Sequence, residues 1–328
     1  MPAAALPTKR HAAPRGFVWL SPTMLRQLNT AHIALYLCSE DSERPVLFRQ
    51  ADIKVDEATL EELIESKGDW LCIRATDLRD ACAGMIGSLG DLVADETLSP
   101  ADRFKILQVV VSFEVQRTLN AVDPAQYITL SANTSRHITT LVSETGLVPN
   151  ELFAIARHDS QTFTHVTNTA GYAVMLADRL GCYSDNELKQ IAMGAMLHDI
   201  GKRCIPRHIL AKPGRLTDEE RKLIQTHPLR GYEELVTCTE VTDQHRLMAY
   251  QHHERIDGTG YPVRIPGSEI HPWSKLLSVV DVFEALTGSR PYRRALALCE
   301  AADYVESHAG TQFDKEIAEC WVAAIKCN

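Results

Sequence analysis

The chain has 328 residues, 45% of them hydrophobic and 23% charged, with a formal charge of −9. That size suits two domains with ordinary cores, and the acidic balance speaks against binding a nucleic-acid polymer or an anionic membrane surface. Nine scattered cysteines without a C-x-x-C pair exclude zinc-finger spacing and a disulfide frame, and no apolar run reaches the roughly 18 residues of a membrane-spanning helix, so a cytoplasmic protein is expected.

Residues 1–16, MPAAALPTKRHAAPRG, are Ala/Pro-rich and basic and lack an apolar segment of signal-peptide length; they read as a disordered tail. Residues 17–148 are expected to form a smaller α+β domain. HIALYLCSE (32–40), RPVLFRQADIKV (44–55) and DWLCIRA (69–75) carry β-branched and aromatic residues at strand-like spacing. Between them, DEATLEELIESKG after Asp56 has the pattern of a short amphipathic helix ending at Gly68. From Thr76 the period becomes helical. Three interior glycines weaken the first stretch, whereas Ser99 and Pro100 open the next as N-cap and first helical residue. The region shows no ligand cluster and no glycine-rich phosphate loop. Its plain reading is regulatory or for dimerisation, offering a homodimer contact or a surface for a signalling partner.

Residues 149–328 read as an all-helical bundle, which makes the chain mainly α. The segment from His165 closes on Gly181 as a C-cap, with apolar positions at helical spacing. Ser184 with Glu187, and Thr217 with Glu220, are capping boxes. WSKLLSVVDVFEALTG (273–288) is apolar almost all round and should be central.

The chemistry-bearing residues of this half are His165, His198, Asp199, His227, His252, His253 and Asp281. Any one histidine on a helix is ordinarily a packed or solvated residue, but here four separate helical segments each deliver a ligand-type side chain. Imidazole nitrogens beside a carboxylate that can bridge suit Fe, Mn, Ni or Zn. The adjacent pairs His198–Asp199 and His252–His253 make a dinuclear site more natural than a mononuclear one, and paired ions are a recurring device for phosphate-ester hydrolysis. Asp281, inside LLSVVDVF, must meet either a cationic side chain or a metal, since an unpaired buried carboxylate costs several kcal/mol.

His198-Asp-Ile-Gly-Lys202 and, 54 residues after His198, HHERIDGTGYP (252–262) resemble the HD-GYP subgroup of HD-domain phosphohydrolases. The likeness covers roughly residues 150–328 and continues through KPGRLTDEE (212–220), His227-Pro228 with Gly231, and DVFEALTGSRPYRRA (281–295). It implies an HD-type helical core and a phosphodiesterase that hydrolyses cyclic di-GMP to pGpG or onward to GMP. By position it implies one ion on His165, His198, Asp199 and Asp281. The second would sit on Asp199, His227, His252 and His253, with Asp199 bridging and a hydroxide between the ions as nucleophile. Asp199 and Lys202 are thereby the catalytic pair, Lys202 facing the scissile phosphate, although the lysine also suits a helix C-terminus as a plain cation. Tyr261 offers a ring and hydroxyl to a nucleotide or packs its loop. Arg290 and Arg293 resemble the family's substrate-binding basic residues.

Gln161, four residues before His165, stands where some members carry a glutamate for a third metal; an amide is a poorer ligand, so two divalent ions, Fe or Mn before Ni or Zn, and pGpG as product are implied. The remaining alternatives are a catalytically weak or gated cyclic-dinucleotide receptor and a phosphodiesterase for cyclic GMP-AMP.

Overall fold

The structure, a computed structural model, describes residues 17–19, 33–39, 44–53, 56, 58–59, 69–74, 76–77, 89–94, 100–119, 124–144, 164–210, 212, 214–288 and 295–326. The chain forms two compact units, Met1–Leu92 and Val93–Asn328. The expected tail and most of the expected helix after Asp56 lie outside the described residues, although Asp56 does accept the Thr59 amide at 2.8 Å in the manner of a cap.

The first unit is built on an antiparallel sheet of four strands, β1 (Phe17–Trp19), β2 (Leu35–Ser39), β3 (Val46–Arg49) and β4 (Asp69–Arg74), in the order β1-β4-β2-β3. Three of them fall inside the three segments expected to be extended; β1 is an addition. Its registration on β4, Phe17 opposite Arg74 and Trp19 opposite Cys72, is a long-range pairing that a three-residue run does not announce. The buried apolar side chains of the strands are Leu35, Tyr36, Leu71, Cys72 and Ile73. Phe17 meets Tyr36 edge-on at 5.0 Å between ring centroids, the arrangement the aromatic quadrupole favours. A short helix, α1 (Leu89–Ala94), follows the sheet in sequence.

The second unit is helical: α2 (Pro100–Leu119), α3 (Ala125–Thr139, continued by a wider turn over Thr140–Glu144), α4 (His165–Leu180), α5 (Asp185–Leu197), the 3₁₀ turn Ile200–Cys204, α6 (Arg207–Leu210), α7 (Asp218–Ile224), α8 (His227–Val236), α9 (Asp243–Gln251), α10 (Pro272–Thr287), α11 (Leu298–Ser307) and α12 (Lys315–Lys326). The helices α2 and α3 thus belong to this unit. Both expected capping boxes form. The Glu187 amide reaches Ser184 Oγ while the Glu187 carboxylate takes the Ser184 amide at 2.8 Å, and Thr217 with Glu220 repeats the pattern. Gly181 ends α4 at φ 67°, a left-handed position that costs glycine nothing.

Nearly all of α4 between Val166 and Ala177 is buried, and α10 is its central companion. Tyr172, Phe283 and Trp321, each 0% exposed, pack mutually with centroids 5.1–5.9 Å apart. Burying side chains of this size is worth about 1.5–3 kcal/mol each, which fixes α4 against α10 and α12. The Tyr127 hydroxyl donates to the Met196 carbonyl, tying α3 to the end of α5. Among the described residues no helix is long and apolar enough to cross a membrane.

Candidate metal centre

Helix ends deliver the site. His165 is the first residue of α4, His198 and Asp199 follow the last residue of α5, His227 is the first of α8, His252 and His253 follow α9, and Asp281 sits within α10. One close approach makes this convergence possible. A Cβ on Gly201 would press into the His227 carbonyl oxygen and the Gly231 nitrogen, backbone atoms that cannot yield. Glycines at 201 and 231 therefore let the turn after Asp199 lie directly on α8 and carry His227 to the carboxylate.

The imidazoles are aimed. His198 Nδ1 lies 2.6 Å from the Ala195 carbonyl, His227 Nδ1 2.8 Å from that of Ile224, and His252 Nδ1 3.0 Å from that of Ala249. A carbonyl only accepts, so each Nδ1 carries the hydrogen and each Nε2 keeps its lone pair. Those lone pairs point inward: His227 Nε2 and His252 Nε2 face one another at 3.2 Å. His198 Nε2 and Asp199 Oδ1 are buried with no hydrogen-bond partner. The lone pairs of His198, His227 and His252 converging beside Asp199 repel one another and are relieved by a cation between them. The donor chemistry fits divalent metal, with the backbone carbonyls fixing each ring's tautomer.

Asp199 divides the cluster in two. Its Oδ1 lies 3.3 Å from His227 Nε2 and 3.9 Å from His252 Nε2, while its Oδ2 lies 3.2 Å from His198 Nε2 and 3.7 Å from His165 Nε2. Asp281 Oδ1 lies 3.2 Å from His165 Nε2 and 3.7 Å from His198 Nε2. His227, His252 and His253 form one group whose ligand atoms all lie within 4.8 Å of each other, and His165, His198 and Asp199 form another. All seven expected ligand residues are thus brought together.

The charges agree. Burial opposes ionisation of Asp199 and Asp281, yet neighbouring imidazoles, and Lys202 beside Asp199, outweigh it and hold both carboxyls well below the usual range. Burial, reinforced by the neighbouring imidazoles, keeps His252 neutral, and burial outweighs the pull of Asp281 to bring His253 down to about 3. His165 goes the other way. Burial is overcome by Glu284 and Asp281, which lift it to about 10, so this ring holds the proton that an arriving cation would displace.

Lys202 is bonded through Nζ to Asp199 Oδ2 at 2.5 Å, with its side chain 36% exposed at the rim. The ring of Tyr261 stacks on His253 at 4.7 Å and 28°, and its amide donates to the His253 carbonyl. The loop beneath is determined by its backbone. A Cβ on Gly260 would clash with the backbone of residues 253–255, Asp257 accepts from the amide and hydroxyl of Thr259, and buried Glu254 takes the Val263 and Arg264 amides at 2.7 and 3.0 Å. A cavity of about 190 Å³ opens beside this loop, lined by His253, Arg255, Thr259, Tyr261, Ser278 and Gln312 among others. Gln161, Arg290 and Arg293 lie outside the described residues.

Several residues that serve the site carry no ligand signature. Glu284, three after Asp281, bonds His165 Nδ1 from behind. Asn168, Gln108, Glu254 and Gln251 were not singled out from sequence. A buried polar residue one turn after His165, and the Glu that follows His252–His253, were the signals available for Asn168 and Glu254.

The HD domain family matches residues 129–317. A cyclic di-GMP phosphodiesterase of Pseudomonas aeruginosa is 33% identical over 224 residues, 66% of this chain and 51% of that protein. The cyclic di-GMP phosphodiesterase response regulator RpfG of Xanthomonas campestris pv. campestris is 38% identical over 162 residues, 49% of this chain and 43% of its own. The chain therefore spans about half the length of these curated relatives. Among solved structures, the HDG"Y"P protein Bd1817 from Bdellovibrio bacteriovorus superposes with a TM-score of 0.63 over 94% of this chain and 99% of its own, at 16% identity, a likeness of fold.

Proposed function

The chain belongs to the HD-GYP family of HD domain proteins, and from that premise we propose that it is a metal-dependent phosphodiesterase hydrolysing cyclic di-GMP to pGpG. The observation that carries this reading is the division of the cluster by Asp199, one carboxylate oxygen facing each histidine set. On this reading His165, His198, Asp199 and Asp281 hold one divalent ion and Asp199, His227, His252 and His253 the other, Fe or Mn in preference to Ni or Zn. Such ions supply Lewis acidity toward the phosphodiester and an acidified water.

The chain's own side chains do the rest. The carbonyls of Ala195, Ile224 and Ala249 hold three rings with Nε2 inward, so no reorganisation precedes reaction. Lys202, half in water and half on Asp199, brings a cation to the mouth where the phosphate's charge grows. Tyr261 and the cavity beside it take a nucleobase, and Arg290 and Arg293 grip a phosphate bidentately. The name of the Pseudomonas relative supports the choice of substrate.

The test is anaerobic purification with metal quantification, then chromatography of products from cyclic di-GMP supplied with Mn²⁺ or Fe²⁺. Two ions per chain with pGpG appearing is the expected result. Two ions without turnover of cyclic di-GMP would overturn the substrate, and turnover of cyclic GMP-AMP in its place would reassign it. Gln161→Glu should raise the metal content toward three per chain; an unchanged content would remove position 161 from any metal site.

A further inference from the structure

We propose that Gln108 is a positioning residue for His165, acting through Asn168 and Glu284; the inference rests on the reading of His165 as a metal ligand. The observation is an unbroken line of buried hydrogen bonds. Gln108 Nε2 donates to Asn168 Oδ1 at 2.6 Å, Asn168 Nδ2 donates to Glu284 Oε1 at 3.2 Å, and Glu284 Oε2 takes the hydrogen of His165 Nδ1. Gln108 and Asn168 are each 1% exposed.

The line has a direction set by the Glu284 carboxylate and completed by Gln108. An amide side chain accepts at its oxygen and donates at its nitrogen. Because the carboxylate of Glu284 only accepts, Asn168 must turn Nδ2 to it, which leaves Oδ1 facing α2, and Gln108 Nε2 supplies the donor that holds that end of the amide. With the Asn168 amide reversed, an oxygen would face an oxygen at Glu284 and a donor would face a donor at Gln108. Held by Asn168 on one oxygen, Glu284 keeps the other on His165 Nδ1, and that bond turns His165 Nε2 to Asp281 at 3.2 Å and Asp199 at 3.7 Å.

Packing alone does not call for an amide at 108. Its neighbours along α2, Phe104, Leu107 and Val111, are each 0% exposed, and an apolar side chain of the same length would fill the place. Gln108 also lies outside residues 129–317, the stretch matched by the HD domain family. The anchor of a metal-site histidine therefore comes from a helix that precedes the matched region.

The test uses the full chain stripped of metal and titrated with Mn²⁺ against a competing chelator. Gln108→Met keeps the length and apolar bulk of the side chain and removes the donor. Val110→Ala, on the same helix and 0% exposed, loses packing but removes no hydrogen-bonding group from the line. Gln108→Met should bind Mn²⁺ about tenfold more weakly, the lower end of the effect of removing a partner behind a ligand, and kcat should fall with KM unchanged. Val110→Ala should melt earlier and bind Mn²⁺ as the parent does. If Gln108→Met binds like the parent, or Val110→Ala loses as much affinity, the positioning role is overturned while the metal centre stands. If the parent chain itself binds no Mn²⁺, the proposed function falls and this inference with it.

Discussion

The sheet unit and the helical unit bury polar groups on different terms. In the sheet, the core is Leu35, Tyr36, Leu71, Cys72 and Ile73, and the buried charge described there, Arg49, is answered by the Ile33 and Ile53 carbonyls. Among the described residues of that unit, the charge is thus met by backbone carbonyls of the same unit. Around α4, α5 and α10, by contrast, His198, His227, His252, Asp199, Asp281 and Glu284 are all buried together. The Nδ1 atoms of the three histidines bond backbone carbonyls, whereas His198 Nε2 and Asp199 Oδ1, which face inward, have no hydrogen-bond partner. Several ligand-type atoms turned toward one another, on rings whose other nitrogens are tied to the backbone, distinguish a site that can take a cation from a core that excludes water.

The largest effect should come from removing the group on which both halves of the site depend. Asp199→Ala should reduce hydrolysis of cyclic di-GMP to background and release bound metal. The helices should persist, because the side-chain partners of Asp199 are the site histidines and Lys202. Metal analysis beside product chromatography reads both, and retained activity would refute the bridging role. Next is Gly201→Ala. Its added Cβ meets backbone of α8, so the turn after Asp199 must lift away. A loss of about 3 kcal/mol is expected, at the upper end of overpacking, together with weaker metal binding as His227 moves off Asp199. The matched case in the other unit is Leu35→Ala, at a side chain 0% exposed. It should cost about 3 kcal/mol by cavity formation and leave the metal content untouched. A fall in metal content with Leu35→Ala would erase the distinction drawn between the two units.

The same contrast explains how much was legible in the sequence. Capping at Ser184 and Thr217 and the stop at Gly181 are decided within a few residues, so the helices of the second unit could be read directly. The ligand residues were legible because the chemistry restricts them to His and Asp at ordered spacings. What escaped was set by long-range approach. Nothing local marks Gln108 as the partner of Asn168, sixty positions away, or Gly201 as the place where a turn touches α8. Strand β1 escaped because its pairing is with β4 and its own three residues are too few to show a period. The expected helix after Asp56 falls largely on residues that are not described.

His245 shows the smallest and most specific of the expected effects. It opens α9 in a capping box of unusual composition: where a glutamate or glutamine ordinarily stands, its Nδ1 accepts the Thr242 amide at 3.2 Å. Its Nε2 donates to the Gln190 carbonyl at 3.0 Å, so the neutral ring is the one that fits both bonds. Burial, with Arg246 adding to it against the Gln190 carbonyl, brings its pKa from 6.5 down to about 4. The unfolded chain therefore takes up this proton first as pH falls. The stability is complete above pH 6.5 and is lost between pH 6.5 and about 4. The loss should reach about 2 kcal/mol at pH 5 and about 3 kcal/mol at full protonation. Gln carries an acceptor and a donor at nearly the same separation and does not titrate, so His245→Gln should match the parent at pH 7 and surpass it by about 2 kcal/mol at pH 5. The depressed imidazoles of His252 and His253 add the same slope to both proteins and cancel in the difference. Urea unfolding of the two chains at both pH values reads that difference directly, and parallel profiles would show that the ring at 245 gains its proton as easily folded as unfolded.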